Sequence, residues 1–164
     1  MPRRLHDPDA DRTPGARLSE SGPHGLVGYQ IAQAAIVTHQ VFAAEAGAPF
    51  GLRPVEYTVL ALVACNPDVT ARQLAHGLGV TPPNIAVWVE KLAARGLLGR
   101  VRSATDARKQ HLRVTDAGAS LARSATAQLQ AGEAEAMAGA LSAAEHAMLI
   151  ELLHKLALAR RRAG

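Results

Sequence analysis

The chain has 164 residues, a net charge of +4 and 48% hydrophobic residues, which is enough for one domain with a substantial core. Its one cysteine, Cys65, excludes an internal disulfide framework and suits a reducing compartment. No segment reaches the ~20 apolar residues of a membrane span, and the N-terminus lacks the apolar stretch of a signal peptide. We therefore expect a soluble, cytoplasmic protein.

Residues 1–24 are predicted to form a disordered tail, because they hold four prolines, mixed charges and few large apolar side chains. Its arginines could contact nucleic acid, but a solvated tail is the simpler expectation. A first helix is predicted from Leu26 to about Ala46, where Gly47, Pro49 and Gly51 would break it. The next helix should begin at Pro54 and end before Asn66.

Thr70 to Val80 shows the pattern of a short helix followed by a turn. Thr70 and Gln73 have the spacing of a capping box, and Leu74, Ala75 and Leu78 would supply the buried side. Gly79 stands where helices commonly end in a left-handed residue, so the chain can turn sharply. This spacing is typical of the first half of a helix-turn-helix.

The second helix of the motif should begin at Thr81, whose hydroxyl could accept a first-turn N–H. Pro82 and Pro83 follow at positions where a missing N–H costs nothing. One apolar stripe recurs at helical spacing and is expected in the core: Ile85, Trp88, Val89, Leu92 and Gly96. The opposite side carries small or short residues that would let the helix approach base edges: Pro83, Asn84, Ala86 and Val87.

After Leu98 the periodicity alternates, which predicts a two-stranded hairpin. Val101, Leu112 and Val114 would face inward, with Arg100, Arg102, His111 and Arg113 outward. The polar loop 103–110 between the strands carries Asp106, Arg108 and Lys109 at its tip. Residues 91–113 contain seven basic residues and one acid, a net charge of +6 that exceeds that of the whole chain. Such a patch can attract phosphates, so we interpret the region as a winged helix-turn-helix that binds duplex DNA.

Two further helices are predicted after the hairpin, one from Thr115 and one from the capping box of Ser142 and Glu145 to Arg162. Together with the first helix they carry more apolar surface than a small winged-helix core can cover. A second copy of the chain would bury it, and a homodimer would place two recognition helices ~34 Å apart, as a palindrome requires.

The chain resembles the MarR family of bacterial transcriptional regulators over about residues 26–162. The matching landmarks are Leu74-Ala75, Leu78-Gly79-Val80, Val89 with Leu92, Arg95-Gly96-Leu97, Asp106-Ala-Arg108, and the return from Leu112 to Gly118. The resemblance implies a mainly α fold, with a DNA-binding core at about 53–115 and a two-stranded β wing. It also implies dimerisation helices at about 26–46 and 116–162. It places Arg108 in the minor groove and gives Asp106 the role of orienting neighbouring basic side chains.

We expect DNA contacts from the two motif helices and the wing, with palindromic double-stranded DNA as the partner. The candidate residues are Arg72, Gln73, Thr81, Pro83, Asn84, Ala86, Val87, Lys91, Arg102, Arg108 and Lys109. Family recognition helices often carry Ser or Thr with Arg on this face. Direct base contacts here would depend on Asn84 and on apolar contact with thymine methyls, with added specificity from DNA shape.

The resemblance further implies repression of nearby genes, relieved by a small aromatic or phenolic anion bound between the dimerisation helices and the DNA-binding core. Candidate ligand residues are Tyr29, His39, Arg53 and Tyr57, whose polar tips lie among apolar helices in the predicted order. These side chains could equally be structural.

Four alternatives concern other kinds of site or function. The seven histidines lack ligand spacing, so no metal and no cofactor is expected. Cys65 could be a redox sensor, or an inert thiol buried at the end of its helix. No catalytic motif is present, so we do not expect an enzyme. A winged helix used as a protein-interaction module is the remaining alternative.

Overall fold

The computed structural model describes residues 12–102 and 110–162, with side chains as far as Arg160. The chain divides into two compact units, residues 1–40 and residues 41–164. The first unit contains local turns and most of the first helix, and the second contains all the remaining helices and the sheet.

In the first unit, backbone hydrogen bonds close local turns between Thr13 and Leu18 at 2.9 Å and between His24 and Glu20 at 2.8 Å. The hydroxyl of Tyr29 donates to the buried carboxylate of Glu20 at 2.7 Å, and this bond raises the pKa of Tyr29. Residues 1–11 of the predicted tail 1–24 lie outside the described residues. Residues 12–24 contain these turns, and the disorder of the tail stays a prediction.

The first helix, α1, runs over Val27–Phe42 and continues without a break through a π-helical turn, Ala43–Gly47, into the short helix α2, Ala48–Phe50. The prediction that Gly47 and Pro49 end this helix is wrong. Pro49 lies in the first turn of α2, directly after the π turn. The helical run ends only at Gly51, which has a left-handed conformation with φ of 58°.

Three helices build the DNA-binding core predicted from the sequence: α3 is Pro54–Cys65, α4 is Ala71–Leu78 and α5 is Pro82–Ala94. They bury a shared cluster whose fully enclosed members are Val59, Leu60, Val63, Ile85, Val89 and Leu92. At the start of α3 the buried carboxylate of Glu56 accepts the backbone N–H of Arg53 at 3.0 Å. That bond satisfies a donor that the helix itself cannot pair.

Both ends of α4 have the predicted chemistry. The Thr70 hydroxyl accepts the Gln73 N–H at 3.2 Å, and the Gln73 side chain accepts the Thr70 N–H at 2.9 Å. Gly79 has φ of 66°, a conformation that side chains with a Cβ rarely adopt, and it ends α4. The capping box and the turn glycine are therefore confirmed.

Strands β1, Leu98–Arg102, and β2, Gln110–Val114, form an antiparallel pair in which Leu98 lies opposite Val114 and Arg100 opposite Leu112. Opposite residues share a face, so Leu98, Arg100 and Leu112 face the same way. Val101 lies on the other face and is 39% exposed. The prediction that Val101 faces inward is wrong, because the buried phase of β1 is set by Leu98.

The order of the elements, three helices followed by a hairpin, confirms the predicted winged helix-turn-helix.

The long helix α6, Asp116–Met137, has Thr115 as its N-cap, and the Thr115 hydroxyl accepts the Gly118 N–H at 3.0 Å. Its N-terminal half packs against α3 and contributes the buried Ala122 and Ala125.

The last helix, α7, runs over Ala143–Leu158 and ends in a 3₁₀ segment, Ala159–Arg162. Its predicted capping box is present, with the Ser142 hydroxyl accepting the Glu145 N–H at 3.3 Å. No residue of α7 is buried within the single chain. Its apolar side chains are therefore exposed to solvent: Met148, Leu149, Ile150, Leu152, Leu153, Leu156 and Leu158.

At Gly118 the first turn of α6 lies very close to the backbone of Leu97, which follows α5. A Cβ at this position would lie 2.0 Å from the Leu97 carbonyl oxygen, so the backbone would have to move. We expect Gly118→Ala to lower the free energy of unfolding by more than about 2 kcal/mol, as measured by urea denaturation.

Gly77→Ala is the matched control, because a Cβ there meets no atom within 4 Å and the residue lies inside α4. Its expected effect is a gain of about 0.5–1 kcal/mol. Equal stabilities for the two variants would contradict the close approach.

Candidate nucleic-acid interface

The N-terminal end of α5 is exposed and carries no side-chain cap. Thr81 is the residue before the helix, as predicted, but its hydroxyl accepts no N–H. Because Pro82 and Pro83 have no N–H, the first available donor belongs to Asn84, and it bonds the Thr81 carbonyl at 3.1 Å. The predicted hydroxyl cap is therefore wrong, and the Thr81 hydroxyl remains available to an outside partner.

Helix α5 has two opposed faces. Ile85, Val89 and Leu92 are 0–1% exposed and anchor it in the core. The predicted contact residues of the other side are all exposed: Pro83, Asn84, Ala86 and Val87. Gly96 does not belong to the buried stripe, as had been expected, because it lies beyond the end of α5 with φ of 70° and is exposed.

Helix α4 adds Arg72 and Gln73, which are both exposed. The amide oxygen of Gln73 accepts from both the N–H and the hydroxyl of Thr70, at 2.9 and 2.8 Å. Its NH₂ group can still donate to an outside acceptor such as a phosphate oxygen. Capping therefore fixes the orientation of this side chain without using its donors.

The cations of the region differ in what they contact. Lys91 and Arg102 are exposed and form no ion pair within the part of the chain that the structure describes. Arg95 instead donates to the carbonyls of Phe50 and Gly51 at 2.7 and 2.9 Å, at the end of α2. The predicted wing-tip residues Asp106, Arg108 and Lys109 lie outside the described residues.

Two arginines of the hairpin are paired with acids. Arg100 lies 3.7 Å from Glu90 of α5, and Arg113 donates to Asp68 at 2.8 Å. Fewer cations are therefore available to bind phosphates than the net charge of the sequence suggests. Three of the five described cations between positions 91 and 113 contact groups of the protein.

Asp68 joins the hairpin to the segment before α4. Besides its carboxylate bond to Arg113, its backbone carbonyl contacts Nδ1 of His111. The next residue, Val69, accepts the Leu112 N–H at 2.8 Å. Sequence reasoning missed this connection because nothing in the local pattern around Asp68 indicates which strand it will meet.

The predicted ligand residues fall into both units. Tyr29 and His39 belong to the first unit, where Tyr29 is engaged with Glu20, whereas Arg53 and Tyr57 belong to the second. Tyr57 is half-buried, with its hydroxyl 3.0 Å from that of Thr126. Because Thr126 donates to the Ala122 carbonyl, Tyr57 is the donor of this pair. Arg53 has an exposed side chain.

Two surface clefts in the second unit lie away from Arg53 and Tyr57. One, of about 340 Å³, is lined by residues of the α6–α7 turn, including Met137, Leu141 and His146. The other, of about 390 Å³, lies on α4 and is lined by Thr70, Arg72, Gln73, His76 and Gly77.

Cys65 is exposed, so the expectation of a buried thiol is wrong. It is the last residue of α3 and lies out of phase with the buried Val59, Leu60 and Val63. In the described ranges no three His, Cys, Asp or Glu residues come close enough to hold a metal ion. None of the described helices is long and apolar enough to cross a bilayer.

Comparison with known proteins decides which family has this architecture. The sequence profile described as the MarR family matches residues 50–109. A protein of Thauera aromatica, named as a transcriptional regulatory protein for the hcr operon, is 30% identical over 142 residues. The match covers 86% of this chain and 84% of that protein.

The chain belongs to the MarR family. It is therefore a DNA-binding transcriptional regulator, and its relatives are regulators rather than enzymes. The transcriptional repressor CouR, solved bound to a 23-mer DNA duplex, is similar with a TM-score of 0.77 and 27% identity, over 85% of this chain and 98% of that one.

A second structure, CouR of Rhodococcus jostii RHA1 bound to p-coumaroyl-CoA, has a TM-score of 0.70 and 23% identity. It covers 81% of this chain and 92% of that one. At this identity the likeness shows the shared fold.

The Asp68–Arg113 pair should hold the wing only weakly, because the two side chains are 46% and 57% exposed. In a double-mutant cycle of Asp68→Ala and Arg113→Ala we expect a coupling energy below about 1 kcal/mol in urea denaturation. A coupling of several kcal/mol would mean that the pair, rather than Leu112 and its backbone bond to Val69, fixes the hairpin.

Proposed function

We propose that the protein is a homodimeric, cytoplasmic repressor that binds a palindromic DNA site and is released from it by a small aromatic or phenolic anion. The observation that carries the proposal is the exposed N-terminal face of α5, which is free of large side chains while the opposite face anchors the helix in the core. A helix presented in this way can enter the major groove of B-DNA.

The proposed DNA contacts divide by chemistry. Asn84 can pair with adenine in the major groove, and Val87, 49% exposed, can contact thymine methyls together with Ala86 and Pro83. The remaining candidates would contact the sugar-phosphate backbone or the minor groove: Arg72, Gln73, Thr81, Lys91, Arg102, Arg108 and Lys109. Arg108 takes the minor-groove role by its match to the family motif.

The proposed dimer follows from unpartnered apolar surface. Helix α7 has no buried residue, and α1 exposes Val27, Ile31, Ile36 and Val37 by 40–63%. Scattered exposed apolar residues are ordinary, but a helix such as α7, with no buried residue and seven exposed large apolar side chains, supports an interface. A second copy would cover this surface and provide the second recognition helix that a palindrome needs.

The proposed ligand is an aromatic or phenolic anion, and support comes from CouR, which binds a phenolic acyl thioester that carries phosphates. In this chain Tyr57 and Arg53 supply a phenol and a guanidinium at the N-terminal part of α3. Tyr29 and His39 are the candidates from the first unit. Binding there would release DNA if it favoured a different placement of the two recognition helices.

DNA binding can be tested with a gel shift on the region upstream of the protein's own gene, at several salt concentrations. Arg102→Ala should weaken binding and reduce the slope of log affinity against log salt by about 0.9, because one phosphate contact is lost. Lys155→Ala is the matched control, since this exposed cation of α7 pairs with Glu151 at 2.6 Å in its own helix.

An unchanged slope for Arg102→Ala would remove Arg102 from the interface. A wild-type protein that binds no duplex at low salt would overturn the proposed function itself. Salt-dependent binding to an acidic protein in place of DNA would instead favour the interaction module.

The ligand site can be tested by a thermal-shift screen of aromatic acids against the wild type and Tyr57→Phe. The variant keeps the ring that lies 6.0 Å from that of Phe42 and loses only the hydroxyl. We expect the stabilisation by a phenolic acid that binds the wild type to fall by at least about 1 °C in the variant, since a typical net hydrogen bond is worth about 1 kcal/mol. Identical shifts in both proteins would exclude the Tyr57 hydroxyl as a ligand contact.

A further inference from the structure

The final segment of the chain contacts the helix-turn-helix through one arginine. Nη2 of Arg160 donates to the carbonyl of Gly77 at 2.9 Å and lies 3.4 Å from that of His76. Both carbonyls belong to the last turn of α4, where helical C=O groups lack the usual intrahelical donor. The His76 carbonyl also accepts the Gly79 N–H at 3.3 Å. The guanidinium supplies a donor to the Gly77 carbonyl and carries the charge that a helix C-terminus favours.

Gly79 makes room for this contact. A Cβ at position 79 would lie 3.3 Å from Cζ and both Nη atoms of Arg160, so the guanidinium lies flat over the turn. The turn glycine thus serves two purposes, since its left-handed φ ends α4 and its missing side chain admits the arginine. Two residues later Thr81 is the N-cap of α5, which begins at Pro82.

The Arg160 contact matters because it connects the end of the exposed helix α7 to the DNA-binding core. None of the residues of α7 is buried, and just after this helix Arg160 bonds the last turn of α4. The proposed dimer interface lies on α7, whereas the proposed DNA-reading face lies on α5. Arg160 bonds the end of the first to the turn that precedes the second.

We propose that Arg160 is a positioning residue that fixes the recognition helix relative to the C-terminal helix and thereby sets the half-site separation that the dimer accepts. The inference rests on the proposed dimeric DNA binding. Inserting one base pair between half-sites rotates them by about 34° and separates them by about 3.4 Å. A dimer whose recognition helices are firmly held loses affinity for the altered site, whereas a dimer whose helices are loosened can adjust to the new separation.

The contact itself is tested without DNA, by amide hydrogen exchange of the full-length protein. Arg160→Ala should accelerate exchange of the Gly79 and Val80 amides by about fivefold, the ratio expected for one net hydrogen bond. These amides bond to carbonyls of the α4 terminus, Val80 to Ala75 at 3.0 Å. Lys155→Ala, in the last turn of α7 just before the segment that contains Arg160, should leave both rates unchanged. Unchanged rates in Arg160→Ala would overturn the inference whatever the protein does with DNA.

The positioning role is tested with duplexes in which the separation of the bound half-sites is changed by one base pair. We expect the wild type and Lys155→Ala to bind the altered duplex at least about tenfold more weakly, an effect comparable to that of one mismatched base pair in a site. Arg160→Ala should lose less than about threefold, and Arg160→Lys, which keeps the charge, should lie between them.

Each outcome of the DNA experiment has one meaning. Faster exchange with an unchanged spacing penalty would show that Arg160 is only a local cap and would overturn the positioning role. A wild type that binds no duplex would contradict the proposed function, while the exchange rates would still decide the contact. Size-exclusion chromatography of every variant distinguishes loss of the dimer from loss of positioning.

Discussion

The fold depends on the burial of one side of α5. Ile85, Val89 and Leu92 are removed from water almost completely, against α3 and the start of the hairpin. Each such side chain contributes about 1.5–3 kcal/mol when fully buried, so the rotation of α5 about its axis is strongly fixed. The opposite face must then point to solvent, and its small residues are what make α5 able to enter a groove.

The wing is held to this core mainly by backbone and apolar contacts. Leu112 is 2% exposed and its N–H bonds to Val69, while Leu97 and Leu98 close the junction between α5 and β1. Gly118 allows α6 to start directly against the Leu97 carbonyl. The long helix therefore leaves the DNA-binding core from a fixed point, which is what a dimer needs if its two reading faces are to be held at a defined separation.

Local chemistry made much of this predictable from the sequence. The capping boxes at Thr70 and Ser142, the turn at Gly79 and the start of α6 at Thr115 were predicted correctly, because each depends on residues within a few positions. The errors arose where neighbours in space decide. Val101 faces outward because Leu98 sets the phase of its strand. Gly47 ends a π turn that no simple periodicity predicts, and the helical run continues from it into α2, which contains Pro49.

The same distinction applies to the site. The exposed side of α5 followed from helical spacing, but the partners of the arginines did not, since Arg95, Arg113 and Arg160 each contact a residue more than 40 positions away. Counting charge in the sequence thus located the cationic region without showing which cations are available.

The most direct test is amide hydrogen exchange of the full-length protein with and without its DNA duplex. The account predicts protection on binding at the amides of Thr81, of residues 84–87 and of residues 102–110, with no change in the middle of α6. Protection confined to other segments, with Thr81 and residues 84–87 exchanging as in the free protein, would contradict the assignment of the reading face.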